Sequence, residues 1–132
     1  MEESRMDSYT VEKVPDAPAI LVVVRQNWST ATDAPAVLSK VEAMLDASDE
    51  PLYYMSDVRE APFNIADIIQ IANIVKQARR VLQHPNLKGI IAISPLKLIE
   101  LAAKGMSSDA FGNIDVRVLE TVEEALDYAR TP

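Results

Sequence analysis

The chain has no cysteine, one histidine, one tryptophan and three glycines in 132 residues. Each scarcity removes a class of chemistry. Without cysteine there is no disulfide staple, thiolate metal site, iron–sulfur cluster or cysteine nucleophile, and a reducing, cytoplasmic setting is the expected home. The lone His84 leaves little room for zinc ligation or a catalytic triad. Gly89, Gly105 and Gly112 are too scattered for a phosphate-cradling loop, which needs clustered backbone amides. Cations are outnumbered: 13 Lys and Arg against 20 Asp and Glu give a net charge of -7, which repels nucleic-acid phosphates and anionic membranes. No run approaches the ~20 apolar residues of a membrane span, and Met1 to Ser8 is polar, unlike an export signal. What the chain does have is a 48% hydrophobic share, enough for one core at single-domain length. The expectation is one domain over residues 1–132, with 1–8 flexible.

Tyr9 to Val14 alternates and is predicted as a short strand, ended by the turn Pro15-Asp16-Ala17-Pro18. Ala19 to Arg25 is a continuous β-branched run, the pattern of a central strand covered on both faces. From Asp33 onward, Val37, Leu38, Val41, Met44 and Leu45 share one helical face, with Pro35 suited to the first turn and Asp49-Glu50-Pro51 closing the segment. Leu52 to Val58 reads as a second buried strand. Ile65, Ile68, Ile69, Ala72, Val75, Ala78 and Leu82 predict one long helix, with Lys76, Arg79 and Arg80 near its carboxyl end and His84-Pro85-Asn86 beyond it. Lys88 to Ile93 is a third buried strand. Ser94 and Pro95 then predict the cap and first position of a helix over Leu96 to Lys104, stopped by Gly105. Asp115 to Leu119 alternates as a strand, and Thr121-Val122-Glu123-Glu124 has capping-box spacing before a helix from Ala125 to Arg130. The order β-β-α-β-α-β-α-β-α predicts an α/β fold: a mixed, mostly parallel sheet with helices packed on it and the first strand added at an edge.

Parallel sheets gather function beyond the carboxyl ends of their strands, where this chain has Asn27, Trp28, Asp57, Arg59, Asn64 and Ser94. Short polar residues there equally serve as turn and helix caps. Trp28 suits a ligand platform or partner anchor as well as a lid on the core edge. His84, at a helix end, fits the covering of terminal carbonyls better than proton transfer. A phosphoacceptor fold of receiver type would explain Asp57 followed by Ser94. It also needs an acidic pair after the first central strand, and Arg25-Gln26-Asn27 stands there.

The stretch from Asp57 through Arg59, Phe63 and Asn64 to Ile68, taken with the element order, resembles the STAS domain, the SpoIIAA-like fold of anti-sigma-factor antagonists. Gly112 to Leu126 is similar to that family's last strand and helix, which carries Glu-Ala-Leu as Glu124-Ala125-Leu126 does here. The resemblance covers nearly the whole chain and implies a SpoIIAA-like fold. In the family a strand ends in Asp or Asn, a short turn leads to Phe, and a helix opens with an acidic residue, two hydroxyl residues and a glycine. The second hydroxyl is phosphorylated by a partner kinase. Asp57 and Phe63 match, but the helix start here is Ile65, Ala66, Asp67 and Ile68, with no hydroxyl to phosphorylate. Asp67 would set one fixed negative charge where the helix dipole favours it, either as a stand-in for phosphate or as an ordinary first-turn acid.

From this follows an expectation of a non-enzymatic, bacterial regulatory or adaptor module that works by protein–protein contact. Its surface would comprise Phe63, Asn64 and Asp67, with Asp57, Arg59, Ser94 and Trp28 beside them. The resemblance implies a protein partner such as an anti-sigma-type kinase, and leaves a homo-oligomer open. The alternative is a domain binding a small or lipid-like ligand between helices and sheet, suggested by the apolar helix Ile65 to Leu82 and by Met44, Met55 and Met106. No cofactor, metal or nucleic acid is expected, and no nucleophile–base pair can be assembled from the spacing.

Overall fold

The computed structural model describes residues 8–109 and 114–131. The segment 1–7, Gly112 and Asn113 lie outside the described residues. Five strands form one sheet in chain order: β1 (Tyr9–Lys13), β2 (Ala19–Val24), β3 (Leu52–Asp57), β4 (Leu87–Ile93) and β5 (Val116–Leu119). β1 lies antiparallel to β2, with Tyr9 opposite Val24 and Lys13 opposite Ile20, and every later pairing is parallel. The sheet is thus mixed and mostly parallel, as the patterning predicts.

Helices α1 (Thr30–Ala47), α2 (Ile65–Gln77), α3 (Arg79–Leu82) and α4 (Lys97–Met106) lie in the crossovers, and α5 (Val122–Arg130) follows β5. Because the parallel strands advance across the sheet in one direction and crossovers are right-handed, the crossover helices all fall on the same face. There Ile20, Val22, Val24 and Leu52 pack with Val37, Val41 and Leu45 of α1, Val81 of α3 and Ile99 of α4. Among the described helices α5 alone packs on the other face, where Ala19, Met55, Ile91 and Ile93 meet Ala125 and Ala129, joined by Val14 and Ala17 from the connection between β1 and β2. Alternation along each strand divides the apolar residues between two cores.

Several local expectations are corrected. The long helix breaks at Ala78, whose ψ of 61 leaves the helical region and whose N–H bonds to Val75; the short α3 then brings Val81 against α1. α1 begins at Thr30, three residues early, because Asp33 accepts from Ser29 N–H at 2.9 Å and closes the first turn. Pro35 therefore sits inside the helix rather than in its first turn. Ser94 does not cap α4: its hydroxyl accepts from Leu96 N–H at 3.1 Å, and Leu96, extended, is the residue before the helix. Gly105 does not stop α4, which runs on to Met106. His84 does not cover carbonyls either. Its Nδ1 accepts from Asn86 N–H at 3.0 Å and its Nε2 meets Asp46 at 2.7 Å, while the Asn86 amide caps Leu45 and Ser48.

Candidate functional site

Asp57 closes β3 with only 5% of its surface exposed. A buried carboxylate needs partners, and Arg59 supplies them through its backbone N–H, Nε and NH2 at 3.2, 2.9 and 2.8 Å. These bonds hold the guanidinium's pKa above its ordinary value, with the Asp57 charge adding to the effect. Asp57 and Arg59 therefore make a closed turn, and Ser94 is buried in its own turn after β4.

Trp28, Phe63, Asn64 and Asp67 come together at the amino ends of α1 and α2. Asn64 Oδ1 accepts from Asp67 N–H at 2.8 Å while Asp67 Oδ2 accepts from Asn64 N–H at 3.1 Å, a reciprocal capping box. Thr30 links the two helices: it accepts from Trp28 Nε1 at 2.9 Å and donates to Asp67 Oδ1 at 3.3 Å. The Trp28 ring stands edge-on to Tyr9 at 6.0 Å and to Phe63 at 6.4 Å. Both oxygens of Asp67 accept hydrogen bonds within the chain, Oδ1 from Thr30 and Oδ2 from Asn64.

Trp28 and Phe63 also lead inward. Between the sheet and helices α1, α2 and α4 lies a cavity of about 140 Å³. Its walls include Val22 and Val24, Val37 and Leu38, Ile68, Ile71 and Val75, Ile99 and Met106. Among the described lining residues no side chain carries a carboxylate, ammonium, guanidinium or imidazole, and the only hydroxyls are those of Tyr54 and Ser56, neighbours on one face of β3. Tyr54 is half-buried and forms part of the cavity wall. Burial pushes its phenol up to about 12, against a smaller lowering by a hydrogen bond with Ser56.

Small residues open this space. Ser56 and Ala92 on the sheet lie across from Ala34 on α1 and Ala102 and Ala103 on α4. At about 24 cal/mol per Å³ of cavity, a void of about 140 Å³ forgoes roughly 3 kcal/mol of packing, a large share of the 5–15 kcal/mol typical of a domain.

The strand order never reverses, so the sheet lacks the switch point that opens a crevice in doubly wound folds. That is why most strand-end residues are tied into turns while the free volume lies beneath the helices. Of the methionines, Met106 lines the cavity, Met44 packs at its own core's edge, and Met55 belongs to the opposite core. Sequence reasoning missed Tyr54, Ser56 and Ala92. The one available signal was a hydroxyl pair two residues apart inside an otherwise buried strand.

At the level of sequence, no family model and no curated protein matches the chain. In structure, the chain is similar to an uncharacterized protein of the DUF3478 family with a SpoIIAA-like fold from Shewanella loihica, at a TM-score of 0.58 and 16% identity over 92% of this chain and 91% of that one. It is also similar to an anti-sigma factor antagonist from Mycobacterium paratuberculosis, at a TM-score of 0.53 and 19% identity, with 93% of each chain covered. The fold is SpoIIAA-like, that of a STAS domain. No helix among the described residues is long and apolar enough to cross a membrane.

Proposed function

We propose that this chain is a non-catalytic regulatory module of SpoIIAA-like fold that works by holding a small apolar molecule between its sheet and helices α1, α2 and α4. The cavity carries this reading: about 140 Å³ of apolar space with one pair of hydroxyls. Soluble domains rarely leave such space without use, since interiors otherwise pack to crystal density. Its volume compares with the ~150 Å³ engineered cavity that takes up benzene and falls below the ~300–1,000 Å³ of drug-sized pockets. A compact ligand therefore fits better than a lipid tail. α2 is the natural element to respond, because Ala72 is its only buried residue while Ile68, Ile71 and Val75 wall the cavity.

The test is native mass spectrometry of the purified protein, followed by heteronuclear NMR during titration with small apolar compounds. Shifts concentrated at Ile71, Val75 and Ala92, absent in the cavity-filling variant Ala102→Leu, are the expected result. Undisturbed spectra across the series refute the reading.

A second reading, contact with a protein partner in the cytoplasm, draws support from Ile65 and Ile69. These lie one turn apart on α2, 67% and 51% exposed, beside the Asn64–Asp67 box. The similar antagonist from Mycobacterium paratuberculosis bears a name that implies a protein target. In this reading Asp67 contributes its fixed charge and Phe63 its ring edge, with Asp57, Arg59, Ser94 and Trp28 shaping the neighbouring turns. Pull-downs comparing the native chain with Asp67→Lys and Ile69→Asp check it. Equal recovery of the same proteins removes this surface from consideration.

A further inference from the structure

Resting on the cavity reading, we infer that the ligand is an uncharged molecule about one ring in size, bearing a single hydrogen-bond acceptor that meets the hydroxyl pair of Tyr54 and Ser56. Size follows from the volume of about 140 Å³, close to that of the benzene-binding cavity. Neutrality follows from the walls. Among the lining residues there is no Lys, Arg or His to balance an anion and no Asp or Glu to balance a cation. Bringing an ion into such a place without a partner costs several kcal/mol, so charged compounds of the same shape are turned away.

The acceptor follows from hydrogen counting. Tyr54 and Ser56 each carry one O–H, and both residues line the cavity, two apart on one face of β3. Even where one hydroxyl donates to the other, one proton remains, and among the described lining side chains only the weak thioether of Met106 could take it. Trp28, the remaining polar wall residue, is a donor only, and its N–H is already given to Thr30 at 2.9 Å. A half-buried donor on an apolar wall lacks a strong acceptor, and a ligand carbonyl, ether or nitrile would supply one. The phenol stays protonated at physiological pH because burial favours its neutral form, so the donor is always present.

Three probes of nearly equal shape separate the possibilities: acetophenone carries a neutral acceptor, ethylbenzene none, and benzoate a charge. Ligand-observed NMR and calorimetry on the purified chain should show acetophenone binding about three- to tenfold more tightly than ethylbenzene, the value of one neutral hydrogen bond, with no binding of benzoate. In the double variant Tyr54→Phe, Ser56→Ala that preference should disappear while ethylbenzene affinity is kept. Should the double variant fail to fold, each single substitution carries the same comparison, with the preference reduced in both. Equal affinity of acetophenone and ethylbenzene, tighter binding of benzoate, or a preference that survives these substitutions overturns the inference while leaving the cavity reading in place. Failure of all three probes to bind overturns the cavity reading itself.

Discussion

On the α5 face of the sheet, Met55, Ile91 and Ile93 pack with Ala125 and Ala129, large residues on the strands meeting small ones on the helix, and all five are sealed from water. On the opposite face Ser56 and Ala92 lie across from Ala102 and Ala103, small against small, and a cavity remains. Both faces belong to the same sheet and share its strands, so neither backbone geometry nor hydrophobicity accounts for the difference. Complementary sizes close one interface, and matched small sizes hold the other open. A face can thus be largely apolar and still leave space that its own side chains do not fill.

The largest expected effect is on the closed face. Met55→Ala should destabilise the fold by about 2–5 kcal/mol, because nothing nearby can collapse into the space. Ile71→Ala, on the open wall, should cost less than half as much. Urea denaturation of the two variants decides the matter, and equal losses would erase the distinction between the faces.

Alkaline pH supplies the next effect. Tyr54 has an ordinary value of 10.0 in the unfolded chain and one of about 12 in the fold. Between these values the unfolded chain has released the proton and the folded one has kept it, so stability falls as pH rises through this window, by at most about 3 kcal/mol. Tyr54→Phe should flatten this part of the stability curve measured by denaturation at pH 9 to 12. An unchanged slope would mean that Tyr54 faces bulk water rather than an enclosed space.

The smallest effect is the most discriminating, because it concerns sign. Adding methyl groups where packing is complete costs about 1–3 kcal/mol, so Ala125→Val should destabilise. Ala92→Val adds similar bulk to the cavity and should be neutral or stabilise by about 0.5–1 kcal/mol, as cavity-filling substitutions commonly do. Thermal unfolding of the pair reads both signs at once.

Much of the architecture was legible in the residues. Ala19 to Val24 and Ile90 to Ile93 announce strands by unbroken apolar runs, and Thr121 does cap α5 by accepting from Glu124 N–H at 3.1 Å. Elements governed by local bonding were read less well at their ends. Ser94 and Asp33 each make a bond that shifts a helix start, and such bonds depend on backbone direction as much as on residue type. A site between helices and sheet was suggested by the apolar α2 and by Met106, but the residues that open it were not legible, since the opening is a relation among small residues on strands β3 and β4 and helices α1 and α4. Ile65 and Ile69 belong to the apolar repeat of α2 yet point to solvent, because the helix touches the rest of the protein along a narrower strip than its sequence offers.

The one-way march of strands across the sheet has a consequence for synthesis. Every crossover helix closes the first face as its strands emerge from the ribosome, but the second face waits for α5, after β5 is complete. Until Ala125 and Ala129 arrive, Met55, Ile91 and Ile93 stand bare on a sheet that is otherwise built, the kind of exposed surface on which nascent chains aggregate or are met by chaperones. Closing that part of the second face thus falls to the nine-residue helix that follows β5.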